Sequence, residues 1–162
     1  MITIAVITLS DKGAAGQRED RSGQVVCDIA KDLGEVVYKK ILPDEKKLII
    51  RNLTELSDKG INLVLTTGGT GLSQRDVTPE ATLEIADREI PGIAEAMRYT
   101  SLAKTPHAML SRSVAVVRKN TLIINLPGSP KAASENLKAV LPALEHAVKK
   151  INGDTTECAC HE

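Results

Sequence analysis

Three glycines and one aspartate in the run Leu63 to Thr82, LVLTTGGTGLSQRDVTPEAT, are the residues best placed to do chemistry in this chain. Gly68, Gly69 and Gly71 let the backbone turn sharply and approach whatever lies above it, because no Cβ stands in the way. Thr78-Pro79-Glu80 has the form of a helix start: a hydroxyl N-cap, proline at the first helical position and an acid in the first turn. A glycine turn feeding a helix N-terminus gathers unpaired N–H groups and the positive end of a dipole. That combination suits an anion, above all a phosphate. Asp76 sits where the anion should bind. Left unbridged its carboxylate would repel a phosphate, so the pattern calls for a divalent metal between the two. This run is the expected active site.

Several of these signals also have plainer readings. Glycine turns often serve geometry alone, and this one is neither a Walker loop nor a dinucleotide fingerprint: no Gly-Lys-Ser/Thr follows and the glycine spacing differs. Asp44, in Pro43-Asp44-Glu45, is by itself ordinary turn and helix-cap sequence. Arg75 fits a solvated loop charge and a phosphate ligand equally well. Cys158-Ala159-Cys160-His161 has the look of half a zinc site, but no second cluster completes it, and it reads as incidental thiols at a frayed end. Cys27 falls on the apolar side of a helix and reads as core. His107 and His146 have no carboxylate or serine at matched spacing and receive no catalytic role.

The elements that must position the loop follow from the hydrophobic pattern. Strands are expected over 2–9, 36–42, 61–67, 113–117 and 122–126. Helices are expected where Val25, Val26, Ile29 and Leu33 share a face, over Leu48 to Leu56, from Pro79 to about Asp87, from Ile93 to Leu102, and from Leu137 to Val148. Only the polar residues Arg118 to Thr121 separate the last two strands, a spacing that makes a hairpin. Pro127-Gly128-Ser129-Pro130 is expected to form a rigid turn. Strands alternating with helices give a three-layer α/β/α fold, its sheet mostly parallel with one antiparallel hairpin strand. In such sheets ligands collect at the C-terminal ends of the strands. That rim would join Ser10-Asp11, Asp44, the loop from Gly68 to Asp76 and the turn from Pro127 to Pro130. Residues 1–153 are expected to form a single domain, and 154–162 a disordered tail.

Composition narrows the class. The 162 residues carry 21 Lys plus Arg against 21 Asp plus Glu, and no basic stripe points to nucleic acid or an anionic membrane. No stretch has the length of a membrane span and no signal peptide is visible, so a cytoplasmic protein is expected. With neither Phe nor Trp, the core must be aliphatic.

Thr66-Thr67-Gly68-Gly69-Thr70-Gly71 and Arg75-Asp76-Val77-Thr78-Pro79-Glu80-Ala81-Thr82 closely resemble the signature of the molybdenum cofactor biosynthesis proteins. Ser10-Asp11, Leu42-Pro43-Asp44-Glu45 and Asn125-Leu126-Pro127-Gly128-Ser129-Pro130 match in the same order. The retained Arg-Asp-Val-Thr-Pro run is similar to that of the molybdopterin adenylyltransferase branch. The resemblance implies transfer of AMP from ATP to the terminal phosphate of molybdopterin, with Mg²⁺ as cofactor and pyrophosphate released. It implies Asp44 and Asp76 as the catalytic, metal-handling pair. Substrate would be held by Ser10, Asp11, Thr67, Gly68, Gly69, Thr70, Gly71, Arg75, Pro127, Gly128, Ser129 and Pro130. No general base is needed, because the attacking phosphate is already ionised. A homotrimer and a molybdenum insertase partner are further implications. A non-catalytic molybdopterin carrier or scaffold, of a related small branch, is the alternative.

Overall fold

A computed structural model describes residues 1–155 of the chain. The Cys158, Cys160 and His161 motif therefore lies outside the described residues. Strand β1 (Thr3–Leu9) pairs in parallel with β2 (Glu35–Leu42) on one side and with β3 (Leu63–Thr67) on the other. β3 pairs in parallel with β6 (Thr121–Leu126), and β5 (Ala115–Arg118) lies antiparallel to β6. The sheet order is β2-β1-β3-β6-β5-β4. This is the expected mostly parallel sheet, with the expected hairpin closed by Lys119-Asn120 and Lys119 at φ 51.

The side-chain period of two divides the core. Ile4, Val6, Leu63, Leu65, Leu122 and Ile124 face one layer, where α2 (Arg21–Ala30), α5 (Pro91–Leu102) and α6 (Pro130–Ile151) pack. Ala5, Ile7, Leu9, Val64 and Ile123 face the other, against α3 (Lys46–Asp58) and α4 (Thr78–Glu84). Cys27 is buried in the first layer, and burial pushes its thiol pKa up, as a core residue requires. No helix among the described residues is long and apolar enough to cross a membrane.

Four details depart from the sequence reading. The loop after β1 contains a short helix α1 (Asp11–Ala14), capped by Ser10 Oγ accepting from the Gly13 amide at 3.0 Å. α4 stops at Glu84, and Arg88–Glu89 then form β4, an edge strand antiparallel to β5. Pro130 belongs to no turn: it opens α6, with Ser129 as the N-cap. Thr78 is not the N-cap of α4, which is Val77. The Thr78 hydroxyl is spent elsewhere, donating to the Gly68 carbonyl at 3.0 Å.

Candidate active site

The rim forms because four strands end side by side. The Ser10 amide donates to Leu42 O at 2.9 Å, tying the ends of β1 and β2. Gly68 N donates to Leu126 O at 3.1 Å and Thr67 Oγ1 to Pro127 O at 2.7 Å, tying β3 to β6. Gly68 and Gly69 take φ values of 101° and 64°, in the left-handed region that suits glycine. A Cβ on Gly68 would lie 2.3 Å from Leu9 O, and one on Gly69 2.2 Å from Thr78 Oγ1.

A buried polar network supports the turn from below. Asn125, fully buried, donates through Nδ2 to Thr66 Oγ1 and Thr82 Oγ1, each at 3.0 Å. Thr82 Oγ1 donates to Thr78 O at 2.9 Å, and Thr78 holds the loop through its hydroxyl and through N–H to Gly69 O at 3.1 Å. The first amide of α4 is thus consumed by the loop, and Pro79 has none to offer. The turn itself holds free N–H groups: among the described residues the Gly69, Thr70, Gly71 and Leu72 amides donate to no other group.

The turn stands between two cavities. The first, about 500 Å³, is polar and is lined by Ser10, Asp44, Thr67, Gly68, Gly69, Asp76, Gly128, Ser129 and Pro130 from the expected set. The second, about 310 Å³, is mainly apolar and is lined by Thr70, Gly71 and Pro127 together with residues of α5, α6 and Pro106–Leu110. Asp11 and Arg75 line neither. They pair with each other, Arg75 Nη2 to Asp11 Oδ1 at 2.7 Å and Arg75 Nε to Asp11 Oδ2 at 3.0 Å. That guanidinium, helped by the Asp44 amide, holds the Asp11 carboxyl below its ordinary pKa.

Asp44 is oriented by a reciprocal pair of bonds: its Oδ2 accepts from Asp11 N at 3.1 Å while its own amide donates to Asp11 Oδ1 at 3.0 Å. Its Oδ1 is buried with no hydrogen-bond partner, in van der Waals reach of any atom placed on Gly69. Burial pushes the Asp44 carboxyl above its ordinary 3.8. The Asp11 amide and Arg75 pull the other way, and the charges of Asp11 and Asp76 add to the rise. Asp76 Oδ2 accepts from Ser73 N at 2.9 Å and faces the bare Cα of Gly71. An orphaned buried carboxylate oxygen, opposite a second carboxylate across a glycine turn, is a donor set that fits Mg²⁺. That ion is commonly held by one or two carboxylates, with substrate phosphates and water filling the remaining positions. Among the described residues no group of three or more His, Cys, Asp or Glu side chains gathers as a metal site.

Residues outside the sequence expectation complete the first cavity: Thr8, Leu9, Gly13, Arg18, Glu19, Asp20 and Ser22. Asp20, with a side chain 7% exposed, caps α2 through Gly23 N at 2.8 Å and accepts from Thr8 Oγ1 at 3.0 Å. Its signal was present in the sequence, as an aspartate just ahead of the apolar period of α2. Arg112 was also missed, and its guanidinium bonds the glycine loop at Gly71 O and Asp76 O.

Comparison with known proteins agrees with this geometry. Residues 5–146 match the family model of a probable molybdopterin binding domain. The chain is 43% identical to a molybdopterin adenylyltransferase of Helicobacter pylori, over 94% of this chain and 89% of that one. It is 45% identical to gephyrin of Dictyostelium discoideum over 92% of its own length, which spans 22% of gephyrin. The crystal structure of the molybdopterin biosynthesis enzyme MoaB of Thermus thermophilus superposes with a TM-score of 0.90 at 49% identity, covering 95% of this chain and 98% of that one. With the family model matched from β1 into α6, this chain belongs to the molybdopterin-binding family of molybdenum cofactor biosynthesis proteins.

Proposed function

We infer that this chain is a molybdopterin adenylyltransferase, transferring AMP from ATP to the terminal phosphate of molybdopterin. The observation that carries the reading is the buried, partnerless Asp44 Oδ1 facing a glycine turn that Asp76 borders from the other side. Two anionic substrates must meet there, and two carboxylates alone would repel both. Asp44 and Asp76 would hold Mg²⁺, which when bound supplies charge neutralisation for the phosphates and for the leaving pyrophosphate.

The remaining work belongs to the chain's own groups. An oxygen of the molybdopterin phosphate bonds to the α-phosphorus of ATP while the bond to the bridging β-phosphate oxygen breaks. The free amides of the Gly69–Leu72 turn are set to hold phosphate oxygens without reorganisation, because Thr78 and the Asn125 network fix the loop in advance. Since the nucleophile is ionised already, no side chain has to take a proton.

Incubation with ATP, Mg²⁺ and molybdopterin is expected to yield adenylylated molybdopterin and pyrophosphate. Tight molybdopterin binding without pyrophosphate would instead support a carrier. The same proposal includes 1–153 as one domain, a cytoplasmic homotrimer and a molybdenum insertase as recipient of the product. Sedimentation at micromolar concentration should give the mass of three chains.

A further inference from the structure

We propose that Arg112 is a positioning residue for this transfer: its guanidinium fixes the loop from Thr70 to Asp76 in the shape that turns the Asp76 side chain toward the first cavity. This rests on the function proposed above. The exposed stretch Leu72 to Arg75 is tied locally by Asp76 N to Ser73 O at 2.9 Å, Ser73 N to Asp76 Oδ2 at 2.9 Å and Arg75 N to Ser73 Oγ at 3.2 Å, and at a distance by the Arg75 pair with Asp11. Arg112 grips the backbone at both ends of that stretch. Its Nε donates to Gly71 O at 2.7 Å, its Nη2 donates to Asp76 O at 2.6 Å, and its Nη1 pairs with the Glu80 carboxylate on α4. The Arg112 amide adds a bond to Thr70 O at 3.0 Å.

The direction of these bonds matters more than their number. In a trans peptide the C=O and the next N–H point opposite ways. Drawing the carbonyls of Thr70, Gly71 and Asp76 toward Arg112 therefore turns the N–H groups of Gly71, Leu72 and Val77 away from it. Of the residues it clamps, Thr70 and Gly71 line the second cavity and Asp76 lines the first. Only a planar fork reaches two carbonyls and a carboxylate together; a lysine ammonium on its flexible stem does not present that geometry. The fork is itself anchored, because Arg98 of α5 donates to Ser113 O at 3.0 Å and holds the segment that carries Arg112. Arg112 touches neither reacting group. Its effect passes through the loop.

The test uses the full chain with Arg112→Ala, Arg112→Lys and Glu80→Gln. Amide hydrogen exchange is followed in the substrate-free protein, beside kcat and KM for ATP. Arg112→Ala should speed exchange at the Asp76 and Thr78 amides while leaving β3 and β6 protected. It should lower kcat about 10²-fold with a smaller change in KM, the size expected when a reacting site is displaced by about 1 Å. Millimolar guanidinium should restore part of the lost kcat. Arg112→Lys should behave like Arg112→Ala, and Glu80→Gln, which keeps the carbonyl contacts, should stay near wild type. Unchanged exchange at Asp76 in Arg112→Ala would overturn the proposal, as would equal loosening of β3 and β6, or a Glu80→Gln loss as deep as that of Arg112→Ala. If the wild type transferred no AMP the functional reading would fall, while the exchange data would still decide what Arg112 holds.

Discussion

Gly69→Ala isolates what the glycine turn contributes, and its cost can be built from the structure. Alanine at φ 64° incurs the left-handed strain of an L-residue, roughly 1–2 kcal/mol. The new Cβ would lie 2.2 Å from Thr78 Oγ1, so the hydroxyl must rotate away and release Gly68 O. A buried carbonyl left without its donor costs about 1–3 kcal/mol. Together the substitution should lower stability by about 2–5 kcal/mol, and at about 2–4 °C of Tm per kcal/mol the shift is large enough to read in a melt. Gly16→Ala supplies the control: Gly16 has φ 71° but nothing within 4 Å of its added Cβ, so it carries the strain without the collision. The difference between the two variants in urea unfolding reports the collision, chiefly with Thr78. The added methyl also lies 3.0 Å from Asp44 Oδ1, so molybdopterin and Mg²⁺ binding should weaken as well. Equal destabilisation of the two variants would refute the role assigned to Thr78.

Asp76→Asn keeps an oxygen for Ser73 N but loses the charge, and turnover should fall about 10²–10³-fold while equilibrium molybdopterin binding persists. Combined with Asp44→Asn, the loss should be smaller than the sum of the two if both serve one ion; additive losses in a Mg²⁺ titration would separate them. Because the Asp44 pKa is raised in the folded protein, its contribution is fully present below the ordinary 3.8 and is lost as pH rises through the folded value. Asp44→Asn should therefore raise Tm at pH 7 and converge with wild type toward pH 3; a Tm gap independent of pH would contradict this. Thr82→Val removes the acceptor for Asn125 Nδ2 and the donor to Thr78 O in a fully buried site, and should cost about 1–3 kcal/mol by chemical denaturation.

The parts of the fold that were legible are those where one interaction dominates. The apolar runs of β1, β3 and β6 could only be buried strands, and the few polar residues before Thr121 could only be a hairpin turn. The C-terminal rim followed from topology, and Asp44, Asp76, Gly68 and Gly69 share one cavity, while Gly71 lines the other. β4 was invisible because Arg88 and Glu89 carry no apolar signal; they form a strand only because β5 offers them an edge. Thr78 was assigned to helix capping because sequence shows a hydroxyl but not which of two competing carbonyls and amides it meets. The pairing of Arg75 with Asp11, and the reach of Arg112 to Gly71 and Asp76, join residues far apart in the chain. A lone arginine between two serines has no local mark that separates a clamp from a solvated charge.

The two outer strands carry a consequence for how the molecule behaves in a crowded solution. β2 and β4 are the sheet margins, where unpaired backbone groups could recruit a strand from a neighbouring molecule. The margins are protected by different means. β4 is two residues long and both are charged, too short to template anything. β2 runs for eight residues, but Glu35, Lys39 and Lys40 load it with charge that a stacking strand would have to desolvate. Exchanging Lys39 and Lys40 for valine would leave a long, β-branched margin whose one charge is Glu35 at its start. Such a chain should stay folded and active when dilute, yet form thioflavin-positive aggregates during concentration or refolding, where the parent chain remains clear.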